Sequence, residues 1–420
     1  METNNNYTLF FINVFIGKLY KWNTLSINYL NRNESIFNKE NNIENLQNIL
    51  DNFADNFIKD KTIILPDFVD NFNTIENVNL LATNENLNDF SQIFYVNDAV
   101  KIIELLSLKN DDTNKKICYL FDYQIINMLL QKSTKIQTAF NHFLEKNTIF
   151  FNNVNTAEND SFIRKNLLSK HNANIFYTTE FSMANNNNVN NKKQQSDSDP
   201  LRIMKLLSLL SSDANINELE ALLKYEPKIT YLLLHLANSA AINTGKKLNT
   251  TDLKQAILLL GVKTLKRWLQ LLIYAGNGNY FSANLLLYKA AFRGKFAELL
   301  LAKYAENKMQ NLVENNTFFA DNINNETAFM LGTFSLLSLL LNRPMNEILI
   351  HLPNNELMQK VLQENQGLIG TAIKILDKLY SKNYDNIFAY FDILKTTYNI
   401  SEFDFLSMQL QAFDFINQIH

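Results

Sequence analysis

Histidine and cysteine, the side chains most typical of metal and nucleophilic sites, are few and scattered in this chain. Histidine, cysteine and carboxylate groups hold most catalytic metals, and closely spaced sets of them identify a site. The chain has five histidines, none of which is followed by aspartate: His142, His171, His235, His351 and His420. The single cysteine, Cys118, excludes an internal disulfide framework and a multi-cysteine metal site, so we expect a buried structural thiol. The sequence contains no P-loop, GxGxxG, GxSxG, HExxH or CxxC motif.

The composition predicts a folded protein of two domains. The chain has 420 residues, of which 46% are hydrophobic, and this is enough apolar side chain for more than one sizeable core. The formal net charge is -3, so there is no excess of lysine and arginine for binding a nucleic-acid backbone. No uninterrupted apolar run reaches the ~18 residues of a membrane-spanning helix, and we expect a cytoplasmic protein.

An Asn-rich segment divides the chain at residues 184–199. It has almost no apolar side chain to bury, which predicts a flexible linker. In residues 1–183, strand-like runs alternate with helical stretches, and this predicts an α/β domain with a parallel sheet or a β/α barrel. About 180 residues is short for a full eight-fold barrel, so we expect some elements to be missing. In residues 200–420, apolar positions recur at helical spacing and predict an all-α domain.

The hydrophobic pattern also predicts individual elements. Before the linker, strands are predicted at 7–15, 62–65, 117–121 and 148–151, and helices at 43–57 and 98–108. After the linker, helices are predicted at 201–210, 216–223, 230–236, 252–260, 263–274, 283–308, 327–341, 345–350, 355–363 and 368–380, followed by an aromatic-rich helical stretch at 385–419.

Several stretches of the second half resemble the HDOD module of bacterial signalling proteins. Residues 226–241 read Glu-Pro-Lys-Ile-Thr-Tyr-Leu-Leu-Leu-His-Leu-Ala-Asn-Ser-Ala-Ala, residues 265–272 read Leu-Lys-Arg-Trp-Leu-Gln-Leu-Leu, and a later helix is followed by Arg-Pro-Met at 343–345. The HDOD module is similar to an HD phosphohydrolase that has lost its metal ligands. The resemblance implies a non-enzymatic helical bundle, and the histidines without a following aspartate agree with it.

The first half resembles an EAL domain, the cyclic di-GMP phosphodiesterase barrel that precedes HDOD modules in one known architecture. The Lys-Arg-Trp-Leu form at 266–269 is typical of HDOD modules in that architecture. Residues 116–123, 148–156 and 174–181 resemble three strands of the EAL family. The resemblance implies a barrel derived from the (β/α)8 fold, with its chemistry at the ends of its strands.

Most of the carboxylates that hold metal ions in the EAL family are absent from the matching positions. Leu25-Ser26-Ile27 replaces the Glu-Ala-Leu signature, Lys135-Ile136-Gln137 stands for a Lys-Ile-Asp strand, and only Asp122 remains of an Asp pair. Asn152, Asn153 and Asn155 lie in the region of the family's Glu-Lys-Val-Glu set. An amide can offer an oxygen to Mg²⁺ but brings no negative charge, so the resemblance implies an inactive barrel.

Four residues are candidates for an interaction surface: Asn238, Ser239, Arg267 and Trp268. Tryptophan and arginine are favoured at the centres of protein interfaces. For Trp268 the alternative is core packing on one apolar face with Leu265, Leu269 and Leu272. For Asn238-Ser239 the alternative is a helix C-terminus built from small residues, and the HDOD resemblance implies the contact surface.

A second basic segment alternates with aromatic residues. Arg293, Lys295 and Lys303 interleave with Phe292, Phe296 and Leu300. Basic residues alternating with aromatic ones can hold single-stranded nucleic acid. The apolar positions follow a helical period, which favours an amphipathic helix with a solvated charged face.

We therefore expect a degenerate EAL-like domain at 1–183, a linker at 184–199 and an HDOD domain at 200–420. The predicted function is non-enzymatic signal transduction through binding of a protein partner by the HDOD domain, with no catalytic, metal or cofactor-binding residue. The EAL-like domain would serve as an input or dimerisation module, so self-association stays open. One alternative is a cyclic di-GMP receptor with a dead EAL-like domain, although we do not expect this ligand. A residual phosphodiesterase is a weaker alternative, and no nucleic acid or membrane partner is expected.

Overall fold

A computed structural model describes most of the chain. The described residues are 7–15, 24–32, 38–53, 62–66, 79–82, 91–96, 98–107, 117–146, 148–155 and 175–180, then 205, 208–209, 218, 223, 267 and 269–271, and finally 280–310, 312, 323–341, 343–350, 352 and 355–417. The chain divides into two compact units. The first unit is Met1–Ala184 together with Glu402–Asn417, and the second unit is Asn185–Ser401 together with Gln418–His420.

The first unit is built on one eight-stranded sheet whose strands follow one another in chain order. The strands are β1 (Thr8–Phe15), β2 (Thr24–Asn31), β3 (Thr62–Ile64), β4 (Asn79–Ala82), β5 (Ser91–Val96), β6 (Ile117–Asp122), β7 (Thr148–Asn155) and β8 (Ile175–Glu180). β1 and β2 are antiparallel, and every later neighbouring pair is parallel. The two ends of this order, β1 and β8, also contact each other. The described part of the first unit thus contains an eight-stranded sheet.

Described helices lie in three of the six connections between parallel neighbours, and parallel pairing requires crossover connections of this kind. They are α1 (Lys39–Phe53), α2 (Ala99–Ser107), α3 (Tyr123–Lys132) and α4 (Thr134–Lys146). Residues 8–12 of β1 are all buried, so both faces of this strand are covered. A second part of the core is aromatic: the ring of Tyr119 on β6 lies 4.9 Å from that of Phe143 on α4, and Phe121 packs against Phe140. Cys118 is buried and not in a disulfide, which confirms the expectation for this thiol.

One predicted strand is wrong. Lys135-Ile136-Gln137, interpreted as the counterpart of a Lys-Ile-Asp strand, lies in the first turns of α4. The Ser133 hydroxyl accepts a hydrogen bond from the Ile136 amide at 3.4 Å, as an N-cap does, and the Gln137 amide donates to the carbonyl of Leu130 at 2.7 Å.

Every described element of the second unit is helical. The helices are α5 (Tyr280–Met309), α6 (Asn325–Phe334), α7 (Leu337–Leu341), α8 (Met345–Leu349), α9 (Asn355–Met358), a π-helical turn (Gln359–Gln363), α10 (Gly367–Tyr380) and α11 (Ile387–Tyr398). Arg267 and residues 269–271 are helical as well. The five helices predicted between 201 and 274 otherwise lie largely outside the described residues. Within the described part of the second unit, the core is formed mainly by α5, α6 and α10.

The last helix, α12 (Glu402–Asn417), groups with the first unit. It packs against β1 and α1, and its apolar residues Phe405, Leu406, Leu410 and Phe413 are fully buried. The sequence prediction had placed all of residues 200–420 in one domain. Residues 402–417 belong instead to the first unit. The apolar surface of α12 is buried there against β1 and α1, and burial of apolar surface depends on an available apolar face and not on position in the chain.

Candidate interaction site

The structure describes one of the four residues predicted for an interaction surface. That residue is Arg267, whereas Asn238, Ser239 and Trp268 lie outside the described residues. The charged neighbours of Arg267 lie on α5 and α6.

The Arg267 guanidinium is held from three directions. Its Nη2 atom lies 3.0 Å from Oε1 of Glu298 on α5 and 3.7 Å from Oε2 of Glu326 on α6. The guanidinium carbon lies 4.3 Å above the centre of the Phe329 ring, within the range of a cation–π contact. The Arg267 side chain is 22% exposed and that of Glu326 is 47% exposed, so this cluster reaches the surface of the described part of the second unit.

The helices that carry the partners of Arg267 are shaped locally for this role. Asn324 is the N-cap of α6, and its side-chain oxygen accepts a hydrogen bond from the Thr327 amide at 2.8 Å. This cap places Glu326 in the first turn, where a carboxylate is favoured by the helix dipole. On α5, Lys295 lies 3.2 Å from the second oxygen of Glu298, so that carboxylate is paired with two cations.

Two glycines allow α5 and α6 to approach each other closely beneath this cluster. A Cβ atom at Gly332 would overlap the carbonyl oxygen of Arg293, which is backbone and cannot turn away. A Cβ atom at Gly294 would lie 2.5 Å from the Thr333 hydroxyl oxygen. That hydroxyl is buried and donates to the carbonyl of Phe329 at 2.8 Å. The glycines therefore fix the spacing of the two helices and, with it, the position of Phe329 under Arg267.

Arg293 is buried, which corrects the interpretation of its segment as a solvated charged face. Its side chain is only 7% exposed; Nη1 donates to the Ser335 hydroxyl at 3.1 Å and Nη2 pairs with Asp377 on α10. The same interpretation is correct for Lys295 and Lys303, which are partly exposed and paired with glutamates. The apolar positions of that face, Phe292, Phe296 and Leu300, are buried as predicted.

Two tyrosines on the helices of this network, Tyr288 on α5 and Tyr380 on α10, have a pKa above the usual value. Burial raises the pKa of Tyr380 far above its usual value, while the nearby charge of Arg293 acts in the opposite direction. Burial also raises the pKa of Tyr288 on α5 to about 12. The ammonium of Lys289 lies 5.6 Å from the centre of the Tyr380 ring. The core between α5 and α10 thus combines aromatic packing with one buried ion pair.

In the first unit, the positions to which the EAL resemblance assigns metal ligands lie on β6 and β7. Asp122 ends β6 and is the register partner of Asn152 on β7, while Asn155 is the partner of Glu180 on β8. Asn153 lies between them on β7. Parallel strands end at the same edge of a sheet, so these residues share one end of three neighbouring strands. Sequence reasoning did not single out Glu180.

Leu25-Ser26-Ile27, predicted from the EAL resemblance to stand in place of a Glu-Ala-Leu signature, lies on β2. Leu25 and Ile27 are buried, and Ser26 is buried with its hydroxyl oxygen accepting from the Asn28 amide at 3.0 Å. Of the histidines, His142 is exposed on α4, and the other four lie outside the described residues. Among the side chains that the structure describes, no group of three or more His, Cys, Asp or Glu residues could hold a metal ion.

Comparison with known proteins places part of the chain in context. Residues 198–283 match the family model of the HDOD domain, a signalling-associated module. This match contains Arg267, whereas Glu298, Glu326 and Phe329 lie beyond it. The chain is also 24% identical over 183 residues to the uncharacterized protein YuxH of Bacillus subtilis (strain 168), covering 43% of this chain and 40% of that protein. The chain thus spans less than half the length of this curated relative. No solved structure matches the chain, and none of the described helices is long and apolar enough to cross a membrane.

Proposed function

We propose that this protein is a non-enzymatic signal-transduction protein whose HDOD unit binds a protein partner at the surface around Arg267. The observation that carries the proposal is the support of Arg267, a residue inside the HDOD match, by two glutamates and an aromatic ring. An arginine fixed in this way has little side-chain freedom left to lose on binding. Arginine is also among the residues that contribute most to interface energies.

The charges of this surface suit a partner with mixed polarity. A guanidinium carries five N–H donors. The two carboxylate contacts of Arg267 use only some of them, so its partly exposed side chain can donate further hydrogen bonds to a partner. The exposed carboxylate of Glu326 lies 3.7 Å away and offers acceptors. A protein segment carrying an acidic and a basic group at neighbouring positions would pair with both. Such pairing contributes mainly to specificity and orientation.

We infer that the first unit is an EAL-like barrel that has lost its catalysis. The strand order supports this, since one antiparallel pair is followed by parallel neighbours only, and β1 contacts β8. The loss of catalysis is supported by the residues on β2, where Leu25, Ser26 and Ile27 offer no carboxylate. A two-metal phosphodiesterase needs several anionic oxygens to bridge its ions. The role left to this unit is that of an input or self-association module.

The experiment that tests the binding function compares charge variants of the full chain. A partner is captured from lysate with the wild-type protein and identified by mass spectrometry, and its affinity is then measured for Arg267→Gln and Lys360→Gln. Lys360 is the matched control, because it is another surface base of the second unit, paired with Glu356 at 2.7 Å. Circular dichroism establishes that each variant is folded.

The expected result is a loss of roughly 30-fold or more in affinity for Arg267→Gln, as for an interface hot spot, and less than about threefold for Lys360→Gln. Arg267→Lys should lose most of the affinity too, because an ammonium stacks poorly on Phe329 and cannot bond in a fork. Equal affinity of Arg267→Gln and wild type for every captured partner would contradict the proposed surface.

A second candidate is a receptor that binds cyclic di-GMP without hydrolysing it. It is favoured by one observation, the alignment of Asp122 with Asn152 and of Asn155 with Glu180 at one end of β6, β7 and β8. Neighbouring strands are about 4.8 Å apart, so these residues are close enough to surround a small ligand. Calorimetric titration of the full chain with cyclic di-GMP and Mg²⁺ tests it. Heat that is lost in Asp122→Ala would favour the receptor, whereas no heat at high micromolar ligand would eliminate it.

A further inference from the structure

Helix α2 carries apolar side chains on its outer face as well as on its inner one. Ile102 is fully buried, and Leu105 and Leu106 are half-buried, so these residues attach the helix to the first unit. Val100 and Ile103 are 62% and 44% exposed. The outer face of a surface helix normally carries polar or charged residues. The outer face of α2 instead keeps apolar surface in contact with water.

Exposed apolar side chains of the first unit are concentrated on two adjoining helices. Besides Val100 and Ile103, Met128 on α3 is 44% exposed, and α2 and α3 contact each other. Among the described residues of the first unit, every other large apolar side chain is buried or half-buried. Exposed apolar side chains that are grouped together mark interaction sites, whereas scattered ones are normal on any protein surface. The grouping therefore indicates a contact face.

Two charged residues flank the apolar pair on α2. Lys101 and Glu104 are both exposed. Each residue of a helix is rotated by about 100° from the one before it. Lys101 and Glu104 therefore lie on the same side of the pair formed by Val100 and Ile103. We call these four residues the α2 face, which thus has an apolar centre with one base and one acid along one side.

We propose that the α2 face is a self-association surface, and that it binds the α2 face of a second copy of this chain in antiparallel orientation. The proposal rests on the self-association role proposed for the first unit. A two-fold interface brings residue i against residue j, and j against i. With the two-fold axis level with Ile102, Val100 lies within one residue, about 1.5 Å along the helix, of Ile103 of the second copy. The same holds for Lys101 and Glu104 of the second copy, and each contact occurs twice.

The charges of the α2 face favour this orientation and this occupant. In a parallel pair, Lys101 would face Lys101 and Glu104 would face Glu104, and such like-charge pairs are unfavourable. In the antiparallel pair, each base lies beside an acid while the apolar centre is removed from water. The face is therefore complementary to itself. Because α2 has only nine residues, we expect a reversible dimer and not a permanent one.

Sedimentation velocity of the full chain from about 1 to 200 μM tests the proposal, because this range covers the Kd values of reversible dimers. The charge variants are Lys101→Glu, Glu104→Lys and the double exchange that carries both. Ile103→Gln removes an apolar contact without changing the charge. All three substituted side chains are exposed, so each variant should fold, and circular dichroism checks this.

Two matched controls lie away from the α2 face in the chain. Lys39→Glu reverses a partly exposed base at the start of α1, where an acidic residue is favoured by the helix dipole. Ile350→Gln replaces an exposed isoleucine of the second unit. Both controls should dimerise as the wild type does.

The wild-type chain is expected to pass from monomer to dimer as its concentration rises. Lys101→Glu and Glu104→Lys should each weaken dimerisation about 5- to 20-fold, because each creates two like-charge pairs across the interface. The double exchange should return to within about threefold of wild type, since the acid and the base only trade places. Ile103→Gln should weaken dimerisation about tenfold or more, because it acts twice in the apolar centre.

Three results would overturn the proposal, and they are distinguishable. A chain that stays monomeric over the whole range would overturn the α2 face together with the self-association role of the first unit. Equal dimerisation of wild type and all variants would overturn the α2 face alone and leave that role to another surface. A double exchange that stays as weak as the single charge variants would overturn the antiparallel pairing with a second copy.

Discussion

The buried pair of Arg293 and Asp377 makes a prediction about which partner is more costly to remove. The Arg293 side chain is 7% exposed and that of Asp377 is 29% exposed. Replacing Asp377 by leucine leaves a guanidinium that water reaches poorly, with the Ser335 hydroxyl as its remaining partner in this network. Replacing Arg293 by methionine leaves a carboxylate that water can reach. Asp377→Leu should therefore destabilise the second unit more than Arg293→Met.

The magnitudes follow from the exposure of each group. Removing one partner of a buried ion pair costs about 3–5 kcal/mol, and we expect about 3 kcal/mol for Asp377→Leu. Arg293→Met should cost about 1–2 kcal/mol, because methionine fills most of the volume and the remaining carboxylate is hydrated. The double variant should be no less stable than Asp377→Leu and close to Arg293→Met. The two substitutions would then be non-additive by about 3 kcal/mol, which is the whole loss expected for Asp377→Leu.

Urea unfolding followed by tryptophan fluorescence measures these differences. The chain has two tryptophans, Trp22 in the first unit and Trp268 in the second, so a Trp22→Phe background makes the signal specific for the second unit. All four proteins, including the unsubstituted background, are compared at neutral pH. A larger loss for Arg293→Met than for Asp377→Leu, or additive losses in the double variant, would refute the reasoning from burial.

Two further predictions concern the second unit and use the same unfolding assay. Gly332→Ala should destabilise the second unit by roughly 2–3 kcal/mol, because the new Cβ meets the backbone of Arg293. Gly294→Ala should destabilise it less, because its Cβ meets the side chain of Thr333. Equal losses for the two variants would contradict this. The pKa of Tyr288 is raised from 10.0 to about 12. The neutral, buried phenol therefore contributes fully to the free energy of unfolding below pH 10, and this contribution is lost as the pH rises towards 12. Tyr288→Phe should reduce the fall in stability over that window by up to about 1.4 kcal/mol per pH unit, and an unchanged slope would show that this tyrosine is not desolvated.

The sequence predicted elements best where one periodicity runs for many residues. The long helix predicted at 283–308 is α5, because a run of this length rich in apolar residues and free of proline is too long for a strand. The helix predicted at 327–341 is broken into α6 and α7. Ser335 is the reason, since its hydroxyl donates to the carbonyl of Gly332 at 2.7 Å and accepts from Arg293. Serine competes in this way for backbone groups that would continue a helix.

Short strands and the candidate site were harder to predict. The sequence did not predict β2, β4 or β5: β4 has only four residues, and β2 mixes apolar positions with asparagine and serine.

The sequence singled out Arg267 but not Glu298, Glu326 or Phe329, because these are 31 to 62 residues further along the chain. The burial of Arg293 also had no local signal, since its partners Ser335 and Asp377 are 42 and 84 residues away. Spacing within one helix cannot reveal partners brought together by tertiary packing.

The placement of α12 has a consequence for biosynthesis. Residues 185–401 are translated after the last strand of the first unit and before α12. At about 5–20 residues per second, this interval lasts roughly ten to forty seconds. During it, the ribosome-bound chain holds β1 and α1 without the helix that packs against them. The first unit to leave the ribosome is therefore the last to be completed.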